Sequence, residues 1–141
     1  MSTVVHNGTF DPVELWNLFD KAGFNRLGER KIENAAQMLG NTDHYISYHR
    51  DGTLVGFVRL LTDFYTTGYI FDLCVSPDHR KAGIGGELMR EMINYCDNNG
   101  IVVVHLLDTS QYPNYYAQFG FESSEDIKGM YRLNPSLRKP I

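Results

Sequence analysis

The residues best placed to do chemistry form one run, Asp72-Leu73-Cys74-Val75-Ser76-Pro77-Asp78-His79-Arg80-Lys81-Ala82-Gly83-Ile84-Gly85-Gly86. It joins an apolar strand pattern to the start of a long helix pattern. Gly83, Gly85 and Gly86 let the backbone turn sharply and approach a ligand without a Cβ in the way. The first amides of a helix lack partners inside it, and the helix dipole makes that end attractive to anions. Arg80 and Lys81 add positive charge beside it. The chemistry such a turn offers is a pyrophosphate cradle; the plainer reading is a glycine-rich turn that only starts a helix. The spacing has neither the Gly-Lys-Ser/Thr ending of a nucleoside-triphosphate loop nor the Gly-x-Gly-x-x-Gly of a dinucleotide fold.

The elements that must carry this turn follow from period and punctuation. Thr3 to His6 reads as a first strand. Asp11-Pro12 opens a helix with an acid cap and a first-turn proline, and Gly23 closes it. Glu29 to Leu39 reads as a second helix, stopped at Gly40-Asn41. His44 to His49, the Asp51-Gly52 turn and Thr53 to Leu61 read as a hairpin, and Tyr69 to Val75 as the third strand of that meander. Ile84 to Asn98 is a helix whose apolar face is Leu88, Met89, Met92, Ile93 and Cys96. Ile101 to Leu107 is expected as a buried strand, parallel to the one before the helix. Asn114 to Phe119 is expected as a short helix ended by Gly120. Closing strands are expected from Phe121 and at Met130 to Leu133, and Asn134 to Ile141 as a loose end. The fold class is mixed α/β, with helices covering a mostly antiparallel sheet of six or seven strands and about four helices in all.

At 141 residues and 43% apolar content the chain has the size and composition of one globular domain, expected to span 1–141. Its formal net charge of −4 speaks against broad nucleic-acid binding and suits a cationic small substrate slightly better than an anionic one. No apolar stretch approaches the roughly 18 residues a membrane span needs. Two cysteines, Cys74 and Cys96, and no signal-peptide pattern at the N-terminus lead to the expectation of free thiols in the cytosol. No metal is expected.

Three motifs then resemble one family. Arg80-Lys81-Ala82-Gly83-Ile84-Gly85 fits the acyl-CoA signature of the GCN5-related N-acetyltransferase (GNAT) family. Leu73 to Pro77 fits its Leu-x-Val-x-Pro, and Tyr115-Tyr116-Ala117-Gln118-Phe119-Gly120-Phe121 fits its later aromatic-Tyr-x-x-x-Gly-Phe block, in the same order and separation. The resemblance implies transfer of an acetyl group from acetyl-CoA to an amine by direct attack in a ternary complex. It implies that the run Arg80 to Gly86 holds the pyrophosphate. Backbone groups of Leu73, Cys74 and Val75 would pair with the pantetheine arm, with an amide near Val75 as donor to the thioester oxygen. Tyr116, four residues before Gly120, holds the place of the family's general acid, with Tyr115 and Tyr112 as close competitors for that role.

The base departs from the family pattern. The family's histidine-pair and glutamate positions fall here on Tyr69 and Phe71, which cannot take a proton from an ammonium. Asp63, Asp72 and His105 remain as base candidates. Alternation by two places Asp72 on the face opposite Tyr69 and Phe71. The resemblance puts the acceptor over the first two helices and their loop, where Phe24 and Arg26 lie, with Tyr69 and Phe71 as an aromatic wall. A small primary amine, a polyamine or an arylalkylamine would suit. The alternatives are an acyl-CoA-binding sensing module without turnover, a protein lysine or N-terminal acetyltransferase, and a structural protein whose turn binds nothing. A homodimer through the late strands is the family's habit.

Overall fold

The computed structural model describes residues 1–112 and 114–137. Five strands form one sheet in the order β1 (Ser2–His6), β2 (His44–Arg50), β3 (Thr53–Thr62), β4 (Thr67–Val75), β5 (Val103–His105). The first four run antiparallel and β5 joins β4 in parallel. Helix α1 (Pro12–Ala22) starts where Asp11 accepts a hydrogen bond from the Val13 amide (2.9 Å), and ends at Gly23 in the left-handed region. The turn Asp51-Gly52, with both φ values positive, fits the twist of its hairpin. Helix α3 runs Ile84–Asn98, as its periodicity predicts.

The sheet is covered on both faces. Leu15, Trp16, Leu18 and Phe19 of α1 pack on Leu54, Phe57 and Cys74. On the other face Leu88, Met89 and Met92 of α3 pack on Ile46, Val58, Leu60 and Ile70. Gly56 lets α3 settle there: a Cβ would stand 2.9 Å from a Leu88 methyl.

Four expectations are corrected. The second helix does not begin at Glu29; a single 3-10 turn, Ile32–Asn34, leads into α2 (Ala35–Gly40). Residues 29–31 are instead held by polar contacts, Arg30 O accepting from Trp16 Nε1 (2.9 Å) and Asn25 Nδ2 (3.1 Å). The strand read over Ile101–Leu107 is only Val103–His105, and Val102, Val103 and Leu107 are exposed, because β5 is the sheet edge and pairs on one side alone. The late helix is a 3-10 turn, Tyr115–Phe119, pinned between two left-handed residues, Asn114 and Gly120, which leave no room for an α-helical ladder. Phe121 onward and Met130–Leu133 form no strand among the described residues: Met130 and Tyr131 are 91% and 87% exposed, with no strand beside them to pair. The sheet therefore has five strands and the chain three α-helices among the described residues. Of the tail expected to be loose, Pro135–Leu137 form a turn, and residues 138–141 lie outside the described residues. Among the described residues no helix is long and apolar enough to cross a membrane. Both cysteines are buried and free.

A polar relay ties β1 to β2 and α3. Asn7 Oδ1 accepts from the Tyr45 amide (2.9 Å), so its Nδ2 donates to His44 Nδ1 (3.0 Å). His44 Nε2–H then donates to His6 Nδ1 (2.8 Å), and His6 Nε2–H to Glu91 (3.0 Å). His44 is 5% exposed and stacks on Tyr95 at 3.6 Å. Burial first, and His6 second, lower its pKa from 6.5 to about 4. Unfolding therefore takes up a proton between those values: the contribution is full above pH 6.5 and lost as pH falls toward 4. We expect His44 to account for on the order of 2–3 kcal/mol of acid destabilisation. Urea unfolding at pH 7 and pH 4.5 checks this: His44→Gln should flatten the slope, and an unchanged slope would remove the relay from the account.

Candidate functional site

The turn after β4 has the geometry of an anion cradle. Lys81 and Gly83 take φ values of 69° and 79°, which swing the chain into α3. Gly83 is the N-cap and no side chain caps the helix. The leading amides of α3 thus face outward with the positive end of the dipole behind them. Arg80 donates from Nε to Val75 O (3.3 Å), which folds its guanidinium over the end of β4. Arg90, one turn along α3, reaches back so that Nη1 would stand 3.2 Å from a Cβ at Gly86, and the Tyr115 hydroxyl would stand 3.1 Å from one at Gly85.

A groove leads from this cradle up the sheet. β5 pairs with β4 only at Thr67↔Val103, Gly68↔Val104 and Tyr69↔His105, so the strands part beyond Tyr69. Opposite, β4 bulges against β3: Arg59 faces Phe71, yet Phe57 faces Cys74, one residue out of step, with Asp72 at φ 57°. Among the described residues the edge of β4 from Ile70 to Val75 thus lacks a strand partner on the β5 side. The cleft in this fork measures about 910 Å³. It is lined by Leu73, Cys74, Val75, Arg80, Lys81, Gly83, Ile84, Gly85, Gly86, Phe24 and Tyr116 among the sequence-predicted residues. Ala82 lies in the same turn without lining it. Arg26 folds back on Gly23, away from the cleft. Cys74 is buried toward α1, and that burial pushes its thiol up beyond any reactive range.

Tyr116 is half-buried, edge-on to Tyr115 (4.9 Å, 83°) and to Phe121 (6.2 Å, 76°). Burial first, then Tyr115 and Asp108, push its phenol up to about 12. It is protonated at neutral pH and so can donate to a forming anion. Tyr115 is also raised, by burial, against the opposing pull of Arg90.

The three base candidates lie apart from one another. Asp63 sits at the β3–β4 turn, accepting from the amides of Tyr65 (2.9 Å), Thr66 (2.8 Å) and Thr67 (3.2 Å) and from the Thr66 hydroxyl. The hydroxyl first, then the amides, lower it to about 2. Asp72 is not opposite Tyr69 and Phe71, as alternation predicts. The bulge returns its side chain to the α1 face, where it accepts from Arg30 Nη2 (2.8 Å) and Arg59 Nε (2.6 Å). Burial raises its pKa and the arginines, Arg30 foremost, outweigh this, leaving it below the usual carboxylate value. The His105 ring makes no hydrogen bond among the described residues and stacks on Tyr69 (4.9 Å, 19°), which stacks on Phe71 (5.6 Å, 21°).

The sequence reading did not single out Arg30, Arg59 or Arg90 as site residues, and Tyr115 entered it only as a competitor of Tyr116. Arg59 and Asp72, lone charges of opposite sign in adjacent apolar strands, were a legible sign of a buried pair. Arg90 stands four residues after Gly86, the spacing that points a side chain back over a helix N-terminus. Among the described residues no cluster of ligating side chains could hold a metal ion.

A bare helix N-terminus, an open β4 edge and a fork between parallel strands meet at one cleft. The acetyltransferase (GNAT) family model matches residues 12–121, and the chain belongs to that family. It is similar to "GCN5-related N-acetyltransferase 2, chloroplastic" from Arabidopsis thaliana, at 28% identity over 88% of this chain and 55% of that protein, so it spans about half of that relative. It superposes on a probable acetyltransferase of unknown function from meticillin-resistant Staphylococcus aureus with TM-score 0.82 and 25% identity, covering 95% of this chain and 100% of that one. A GNAT family acetyltransferase from Brucella melitensis, solved in complex with acetyl-CoA, shares the fold at TM-score 0.66 and 18% identity, over 87% and 84% of the two chains.

Proposed function

We propose that the chain is a single-domain, acetyl-CoA-dependent N-acetyltransferase that acetylates a primary amine of a small molecule in a ternary complex. The observation that carries this is the uncapped α3 N-terminus, flanked by Arg80, Lys81 and Arg90, at the foot of the fork between β4 and β5. The residues fit the group: a pyrophosphate matches the outward amides and their cations, and the open edge of β4 matches an arm of amides. Acetyl-CoA supplies the activated acetyl thioester. Arg80, Lys81 and the α3 amides bind the pyrophosphate. Leu73, Cys74 and Val75 offer backbone N–H and C=O groups along the arm, and an amide of this stretch donates to the thioester oxygen. Tyr116 donates its hydroxyl proton toward the departing sulfur. Of the base candidates, Asp63 is committed to its turn and Asp72 to two arginines. His105, at the last β4–β5 pair, is therefore the group we assign to take the amine proton. The exposed apolar side chains at the β5 edge and at Ile127, Met130 and Tyr131 support a homodimer. Two buried free thiols suit a cytosolic setting.

The test is CoA release from acetyl-CoA, followed with a thiol reagent across a panel of amines. Amine-dependent release is expected; binding of acetyl-CoA without release to any amine would favour a sensing module. Tyr116→Phe is expected to lower kcat by about 10–100-fold with KM for acetyl-CoA within about twofold. Equal kcat in the variant would remove Tyr116 from the chemistry.

A further inference from the structure

On the α1 face of the sheet lies a second cleft of about 700 Å³ whose polar groups are unbalanced. Arg30, Lys31 and Arg59 line it together with Glu29, and both arginines grip Asp72, so three cations meet two carboxylates and one positive charge is left over. The two arginine side chains are only 24% and 17% exposed, so water does little to screen them. Arg30 Nη1 is buried with no hydrogen-bond partner. Arg59 reaches Asp72 through Nε, and among the described residues its two Nη groups have no partner. Glu29, which lines the same cleft, keeps a buried Oε2 that is also unpartnered. Buried groups without partners are exceptional in folded proteins; the two Arg59 Nη groups, which are not buried in this way, are the donors a ligand in the cleft can reach.

The complement of this set can be read off its chemistry. An uncommitted guanidinium fork donates to a planar pair of oxygens, and a single excess charge is matched by a monoanion, which favours a carboxylate over a phosphate. A polyamine would set its ammonium groups against two guanidiniums. Two contacts link the cleft to the proposed chemistry. Asp72, which orders both arginines, is followed directly by Leu73 and Cys74, which line the acyl-CoA cleft. The Arg59 guanidinium lies 5.4 Å above the Phe71 ring, at one end of the Phe71–Tyr69–His105 stack.

Resting on the transferase reading above, we infer that this second cleft holds the acceptor, and that the acceptor is an amine carrying a carboxylate, bound by Arg59 and Arg30. In the transfer the acceptor nitrogen bonds to the acetyl carbon as the carbon–sulfur bond breaks. The electron pair leaves on sulfur, and the proton lost by nitrogen balances the one sulfur gains. The net negative charge of the chain, which by itself suits a cationic substrate, is overridden locally by the two arginines.

The experiment is CoA release by the whole chain at saturating acetyl-CoA, with free amino acids compared against their carboxamides and decarboxylated amines, and with polyamines alongside. The carboxylate members are expected to have kcat/KM at least about tenfold higher, mainly through KM. Arg59→Gln, in which Arg30 still neutralises Asp72, should reduce that preference to less than about threefold, with Arg59→Lys in between. A purely structural role for Arg59 would lower acid and amide alike and leave their ratio unchanged, which would overturn the inference. So would a wild-type enzyme that acetylates amides, plain amines or polyamines as well as acids, a result that needs no variant and leaves the transferase reading standing. If no amine of any class drives release, the transferase reading itself fails, and the inference with it.

Discussion

Asp72→Ala is expected to lower the melting temperature by about 10–20 °C. The Asp72 side chain is 8% exposed and is met by Arg30 at 2.8 Å and Arg59 at 2.6 Å. Removing one member of a buried ionic group costs about 3–5 kcal/mol, because the partners stay desolvated without compensation. Here two guanidiniums would be stranded, both stacked on rings, Arg30 over Phe19 at 4.6 Å and Arg59 over Phe71 at 5.4 Å. Alanine would also have to hold φ 57°, which costs about 1 kcal/mol more. Asp72→Asn, which tolerates that backbone and keeps an acceptor, should fall between alanine and the wild type. Thermal unfolding of the three proteins decides it, and a shift under about 3 °C for alanine would mean the arginines gain nothing from the carboxylate. The bulge that shapes the upper cleft hangs on this triad, so activity should fall with stability.

Gly83→Val is expected to weaken acetyl-CoA binding by at least about 100-fold. The cause is not a clash within the free protein, since a Cβ at Gly83 meets no heavy atom within 4 Å. It is the backbone: a β-branched residue at φ 79° is strongly disfavoured, so the turn either stores the strain or relaxes and misaims the first α3 amides. Losing two charge-assisted contacts to a phosphate costs about 3 kcal/mol, which sets the expected factor. Calorimetric titration measures it, with circular dichroism to confirm that the variant folds. A dissociation constant equal to that of the wild type would discard the cradle.

These two sites differ in how far the sequence reveals them. The cradle is local. Glycine, a helix pattern and two cations within a few residues specify it, and α3 runs Ile84–Asn98 as its period predicts. The arginine clamp is non-local, drawing on residues 42 and 13 positions from Asp72. The bulge hides it further, because alternation by two assigns Asp72 to the wrong face and carries no mark of a φ reversal. The late segments mislead for a different reason. Apolar runs such as Ile101–Leu107 and Met130–Leu133 look like buried strands, but a strand exists only with a neighbour. β5 is an edge, and the last segment has no strand beside it. The second cleft was invisible because its meaning lies in groups left unpaired, which only coordinates disclose.

The most direct test of the account is to titrate the ¹⁵N-labelled chain with acetyl-CoA and follow the backbone amides. The cradle and the open β4 edge predict the largest shifts at Leu73, Cys74, Val75 and at Gly83 to Gly86, with the Asp63 turn unmoved. Saturable binding that leaves those amides in place, or no binding at all, would contradict the account at its centre.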